Sequence, residues 1–265
     1  MIATASMNND EIPSVKDVCL FLSEYGAWLV GCGATCIRLE KNVRRIAAAY
    51  GMKVEMTIMP RHIHMNVCDD CGENMFTSII AVPSVPISFD VNTALSRLSW
   101  NVADRKIGFG VLKRRFCNII HSGSRDQTLM PVVVGMANAA FCRLFGGDAA
   151  AMAVVAVATI VGFYIRQICL AGKMDYRAVV LICSFVSAVL GATDGLFALG
   201  ATPEVAIGTS VLYLVPGIPF LNAFSDMFYR HYICAFSRFI DALIITCCLS
   251  AGLCCGMLMM GRGMF

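Results

Sequence analysis

The chain has 265 residues, 58% of them hydrophobic and only 15% charged, with a mean hydropathy of +0.70. Soluble domains carry charge on about a quarter of their residues, so this composition points to a membrane protein. The net charge of +3, without a basic stretch interleaved with aromatics, argues against a nucleic-acid partner.

The N-terminus MIATASMNNDEIPS has neither the positive start nor the apolar core of a secretory signal, so the segment after it is expected in the cytoplasm. Most charges precede Arg125. The reading is therefore an N-terminal cytoplasmic α+β domain over residues 1–125, then a transmembrane domain over 126–265.

Ser14 opens a first helix, with Asp17 three residues on in a capping-box arrangement, and the apolar spacing runs on to Gly31. A second helix covers Ala34 to Tyr50, with Leu39, Val43 and Ile46 as its apolar stripe. Arg38, Lys41 and Arg45 share another face, expected to be solvated or turned to an anionic solute, and Glu40 is spaced to pair with Arg44. Gly51 ends this helix in the left-handed conformation common at helix C-termini. Alternating residues over Met52–Ile58, His62–Val67 and Thr77–Val82 predict three short strands, and Asp90 to Lys106 returns to helix. The basic cluster Lys113, Arg114, Arg115 and Arg125 leads to the membrane.

The sequence contains 14 cysteines. Those in apolar runs are read as small hydrophobes, and those of a cytoplasmic domain as reduced thiols. Cys68 and Cys71 form a CxxC near His62 and His64, and Cys32 and Cys36 lie one helical turn apart. A zinc site would need four of these to converge, so no metal and no cofactor is expected.

Five apolar spans follow: Leu129–Phe145, Ala149–Leu170, Ala178–Leu199, Val205–Phe224 and Phe239–Met260. Lysine and arginine flank one set of connections (Arg166, Lys173, Arg177; Arg230, Arg238), and the opposite set has none. That bias predicts a cytoplasmic N-terminus and a C-terminus outside.

Polar residues within spans mark candidate solute contacts: Asn138 and Arg143 in the first, Arg166 at the end of the second, Asp194 in the third. Asp194 and Arg143 could pair, and Arg166 could snorkel to headgroups. Gly191 and Gly195 suggest a helix contact. The fourth span is interrupted by Pro216, Gly217 and Pro219, then carries Asn222 and Asp226. A packing kink is one explanation; a discontinuous helix lining a solute path is the other. HExxH, GxxxxGK[ST] and GxSxG are all absent, so neither an enzyme nor an ATP-driven pump is expected. A rival class is a non-transporting membrane receptor or anchor with a cytoplasmic sensing domain.

Four segments, GATCIRLEKNVRRIAAAYG, CRLFGGD, FYIRQ and TPEVAIGTSVLYLVPGIPFLNAFSDMF, carry a family resemblance. The chain resembles the threonine/serine exporter family, and within it the branch divided between two subunits, from about Val18 to the C-terminus. The resemblance implies an α-helical membrane protein of the bacterial inner membrane, with five transmembrane helices after a small cytoplasmic domain. It implies export of small carboxylates, succinate favoured, or of threonine and serine. It further implies a hetro-oligomer with a separate small membrane subunit resembling YjjB, set in membrane lipid. The matching positions are Arg38 and Glu40 in the cytoplasmic helix, and Arg143, Arg166, Pro216, Gly217, Pro219, Asn222 and Asp226 in the membrane motifs. The CxxC lies outside the pattern.

Overall fold

A computed structural model describes residues 13–104, 107–121, 128–197 and 200–261. Lys106, Arg125 and Leu199, at three of the expected boundaries, lie outside the described residues. The chain forms two compact units. One joins the segment up to residue 123 with Ile218–Phe239; the other joins 124–217 with 240–265. The N-terminal unit therefore includes a segment from the region expected to be purely transmembrane.

In the first unit, α1 (Val15–Gly31) begins where Ser14 and Asp17 cap each other. The Asp17 amide donates to Ser14 Oγ at 3.1 Å, and the Ser14 hydroxyl returns a bond to the Asp17 carboxylate at 2.6 Å. α2 (Cys36–Ala49) stops before Gly51, whose φ of +68° is the left-handed value the sequence predicted. The strands β1 (Met52–Ile58), β2 (His62–Asp69) and β3 (Met75–Ala81) form one antiparallel sheet in the order β1-β2-β3. Register is set by pairs such as Val54 with Val67 and Val67 with Phe76. One face is apolar, with Ile63, Met65 and Val67 fully buried beneath α1 and α2.

α3 (Phe89–Ala103) packs on α2, and the join is polar. Arg38 donates to Asn92 Oδ1 at 2.9 Å, and Arg45 to Ser99 Oγ at 2.7 Å while its guanidinium stacks 3.7 Å from the Trp100 ring centroid. Of the three basic residues expected to share a solvated face, Arg38 and Lys41 are exposed and Arg45 is half-buried; Arg38 and Arg45 also serve the α2–α3 contact. Glu40 faces His231 at 3.6 Å instead of pairing with Arg44. α4 (Phe109–His121) covers the remaining flank. Phe116 and Phe109 of α4 meet Phe21 edge-on, with centroids 5.5 and 5.7 Å apart. The sequence marks this stretch only by its basic cluster, Lys113, Arg114 and Arg115.

The second unit is helical: α5 (Met130–Leu144), α6 (Ala149–Ala171), α7 (Tyr176–Leu196) and α8 (Pro203–Ser210), with a 3₁₀ turn at Leu212–Leu214. α9 (Gly217–Phe228) and α10 (Tyr232–Met259) complete the chain. Among the described residues, α6, α7 and α10 are each long and apolar enough to cross a membrane. The broken pair Pro203–Leu214 and Gly217–Phe228 makes a fourth if counted as one span. The protein is thus a multi-pass, mostly helical membrane protein with three to four candidate spans, against the five expected. The difference lies at α5, whose 15 residues reach about 22 Å at 1.5 Å per residue, short of an apolar core of about 30 Å.

Candidate functional site

The break in the fourth apolar run follows from its prolines. Val215 precedes Pro216 and is extended, with ψ of 126°, as the proline ring requires of its neighbour. Helical bonding therefore ends at the 3₁₀ turn, and the Gly217 amide closes a tight turn onto the Val215 carbonyl at 2.8 Å. Pro219 falls in the first turn of α9, where a missing N–H costs no helical bond.

Asn222 and Asp226 lie four residues apart, on one side of α9. Within the first unit both are engaged with the loop between α1 and α2. Asn222 Nδ2 donates to the Gly33 carbonyl at 2.9 Å. Gly33 has φ of +90°, which lets the loop turn there. Asp226 is fully buried. Its Oδ1 accepts the Cys36 amide at 2.8 Å, and its Oδ2 lies 3.1 Å from Arg238 Nη1 of α10. Arg238 Nη2 donates in turn to the Ala34 carbonyl at 2.8 Å. Cys36 is the first residue of α2, and its N-cap Thr35 makes no side-chain bond. Asp226 thus supplies from a distant helix the acceptor and negative charge that the start of α2 needs.

The Cys36 thiol hydrogen-bonds with that of Cys234, and this bond together with burial pushes it above the usual thiol range. Cys234 Sγ also reaches the Ile58 carbonyl at 3.3 Å. The result is a latch: Asn222, Asp226, Cys234 and Arg238 hold Gly33, Ala34, Cys36 and Ile58.

In the second unit a separate group of polar side chains is buried among apolar helices. Asn138 of α5, 4% exposed, donates to Thr159 Oγ1 of α6 at 2.7 Å and to the Thr209 carbonyl of α8 at 2.9 Å. The Thr209 hydroxyl bonds back to the Val205 carbonyl at 2.6 Å. Ser187 of α7 shares a hydrogen bond of 3.0 Å with the Tyr213 hydroxyl. Both hydroxyls crowd Gly162 of α6, where any Cβ would collide with them. Gly191 lies against Ser210 of α8, the helix contact the sequence suggested.

Arg143 Nη1 donates to the Gly147 carbonyl at 3.2 Å, covering the end of its own helix. The Arg166 guanidinium lies 5.4 Å from the Phe163 ring centroid and 5.7 Å from that of Tyr176. Asp194 is fully buried on α7. Asp148 caps α6: its carboxylate accepts the Ala151 amide at 2.8 Å and the Ala201 amide at 2.6 Å. Those bonds, that of Ala151 foremost, hold its carboxyl below the ordinary range.

Arg238, Thr159, Thr209, Ser187 and Tyr213 were not singled out by the sequence reading. For Arg238 there was a usable signal, a cation near the start of an apolar helix that has a buried aspartate shortly before it. The Cys68, Cys71, His62 and His64 set lies on β2 and the turn after it, while Cys32 and Cys36 are buried at the α1–α2 loop. Among the described residues, no group of three or more His, Cys, Asp or Glu is placed to hold a metal ion.

The chain is similar to known proteins over most of its length. The family described as "Putative threonine/serine exporter" matches residues 20–260. A protein of Klebsiella aerogenes named "Probable succinate transporter subunit YjjP" is 28% identical over 256 residues, covering 96% of this chain and 97% of its own. The protein of the same name from Escherichia coli K12 is 25% identical over 242 residues, covering 91% and 92%. No solved structure matches the chain. With a match running over nearly its entire length, the chain belongs to the threonine/serine exporter family.

Proposed function

We propose that this chain is the larger subunit of an exporter in the bacterial inner membrane, carrying small carboxylates outward with succinate favoured. The observation that carries this reading is the polar group in the second unit. An asparagine amide, two threonines and a serine sit buried where apolar helices meet, the serine paired with a half-buried tyrosine, one turn ahead of a span broken at Pro216. Buried polar side chains and interrupted helices at membrane depth are the usual marks of a solute route.

In this reading Asn138, Arg143, Arg166, Asp194 and the break at Pro216, Gly217 and Pro219 serve the route. Asn222 and Asp226 act by holding α9, and Arg38 and Glu40 by holding α2. The short α5 is a fifth span, completed by packing or local thinning of the bilayer. The N-terminus is placed in the cytoplasm and the C-terminus outside, an orientation the lysine and arginine bias of the loops supports. The relatives' names include the word subunit, which supports a partner; a separate small membrane protein fits that role.

The test is deletion of the gene, alone and with that of its partner, followed by measurement of excreted succinate and threonine. Succinate efflux is expected to fall with either deletion, by at least severalfold, and to return when both genes are restored. The family description favours a second reading, export of threonine or serine. A fall in threonine efflux alone would establish that reading in place of the first, and unchanged efflux of both would end the proposal.

A further inference from the structure

β3 is an outer strand of the sheet, and none of its residues is charged. The bonds at its two ends show which backbone groups face β2. The Asp69 amide donates to the Asn74 carbonyl at 3.1 Å, and the Val82 amide to the Arg61 carbonyl at 2.8 Å. Hydrogen-bonded positions alternate along an antiparallel pair with positions whose N–H and C=O point away. Phe76, Ser78 and Ile80 therefore bond to β2, while Met75, Thr77, Ile79 and Ala81 turn their amides and carbonyls outward. The side chains of these four are exposed too, Met75 to 65% and Ile79 to 62%. Among the described residues, no hydrogen bond reaches their outward backbone groups.

The other edge of the same sheet differs. By the same alternation, counted from the Met59 amide bonded to the His62 carbonyl, Met52, Val54 and Ile58 of β1 face outward. All three are buried, and the Cys234 thiol covers the Ile58 carbonyl at 3.3 Å. Sheets normally guard an open edge with charges, proline or a covering segment; β3 itself has no charge and no proline, and among the described residues no backbone hydrogen bond covers its edge.

We propose that the β3 edge pairs with that of a second copy of this chain, antiparallel, about a two-fold axis passing at Ser78. Centring there sets Met75 against Ala81 of the second copy and Thr77 against its Ile79. All four outward residues are then matched, each pair exchanging both its hydrogen bonds. Moving the centre to Ile79 would bring Pro83, which has no N–H, opposite Met75. Moving it to Thr77 would set Ala81 against Glu73, outside the strand. Self-pairing also places every charge of a strand near its own copy, and an uncharged strand escapes that repulsion. The contact is isologous and closes at two copies.

The test uses the full chain in detergent, its mass followed by light scattering. Wild type is expected at two copies of this chain per particle. In the Ser78→Cys variant the two introduced thiols face each other across a non-hydrogen-bonded pair, with Cα atoms about 4.5 Å apart. Treatment with copper-phenanthroline takes two electrons and two protons from these thiols and leaves one disulfide, read as a 78–78 linked peptide by mass spectrometry. Ile79→Pro removes an amide that points away from β2, so the β2–β3 ladder stays and the particle is expected to fall to one copy. A wild-type particle with one copy, absence of the 78–78 link, or a pair that survives Ile79→Pro would each overturn the assignment.

Discussion

Replacing Asp226 by alanine is expected to destabilise the first unit by about 3–5 kcal/mol, the usual effect of removing one partner from a buried ion pair. The aspartate side chain is fully buried, and that of Arg238 is only 20% exposed, so solvent screens the pair weakly. Loss of the carboxylate leaves the Arg238 charge without its counter-ion and the first amide of α2 without an acceptor. Asp226→Asn should cost less, because an amide oxygen can still accept from Cys36 while the charge on Arg238 stays unmatched. The check is unfolding of purified variants in detergent, together with the double variant Asp226→Leu, Arg238→Met. Removing both charges is expected to cost clearly less than the sum of the two single changes. Additive effects would show that the two residues act independently and that the latch does not exist as a unit.

The second large effect is expected at Gly162. A methyl group there would collide with the Tyr213 and Ser187 hydroxyls. Serine can rotate away, but tyrosine pivots on few torsions and its ring is held near Phe163, with centroids 6.3 Å apart. Gly162→Ala should therefore destabilise the second unit by about 1–3 kcal/mol, the range for overpacking a filled core, and lower export. Tyr213→Phe in the same chain removes the nearer obstacle and is expected to restore part of the loss. Thermal unfolding of the two variants and their combination decides the matter; a Gly162→Ala protein as stable as wild type would show that α6 can move away from Tyr213 at no cost.

Much of the fold was legible because it is governed by neighbours in sequence. Ser14 with Asp17, the left-handed Gly51 and the alternation through β1 and β2 are local devices, and each appears where the residues placed it. α4 is harder to read because Lys113, Arg114 and Arg115 interrupt its apolar stripe, although Leu112, Phe116, Ile119 and Ile120 repeat at helical spacing through them. The sequence flagged Asp226 as a polar residue in an apolar run, but not its partner. The Cys36 amide lies 190 residues away, and no local rule links the start of one helix to a side chain so distant. The same holds for Asn138, whose acceptors lie 21 and 71 residues further along.

The environment of Cys36 supplies a built-in reporter. A thiol held in its protonated form and out of water is a poor nucleophile, so it should resist alkylating reagents that modify the exposed Cys71 and Cys117 within minutes. Should α9 and the start of α10 withdraw from the α1–α2 loop during turnover, Cys36 would become reactive. Peptide mapping after timed maleimide treatment, with and without transported solute, would then record each release as a chemical mark on one residue, with no label introduced.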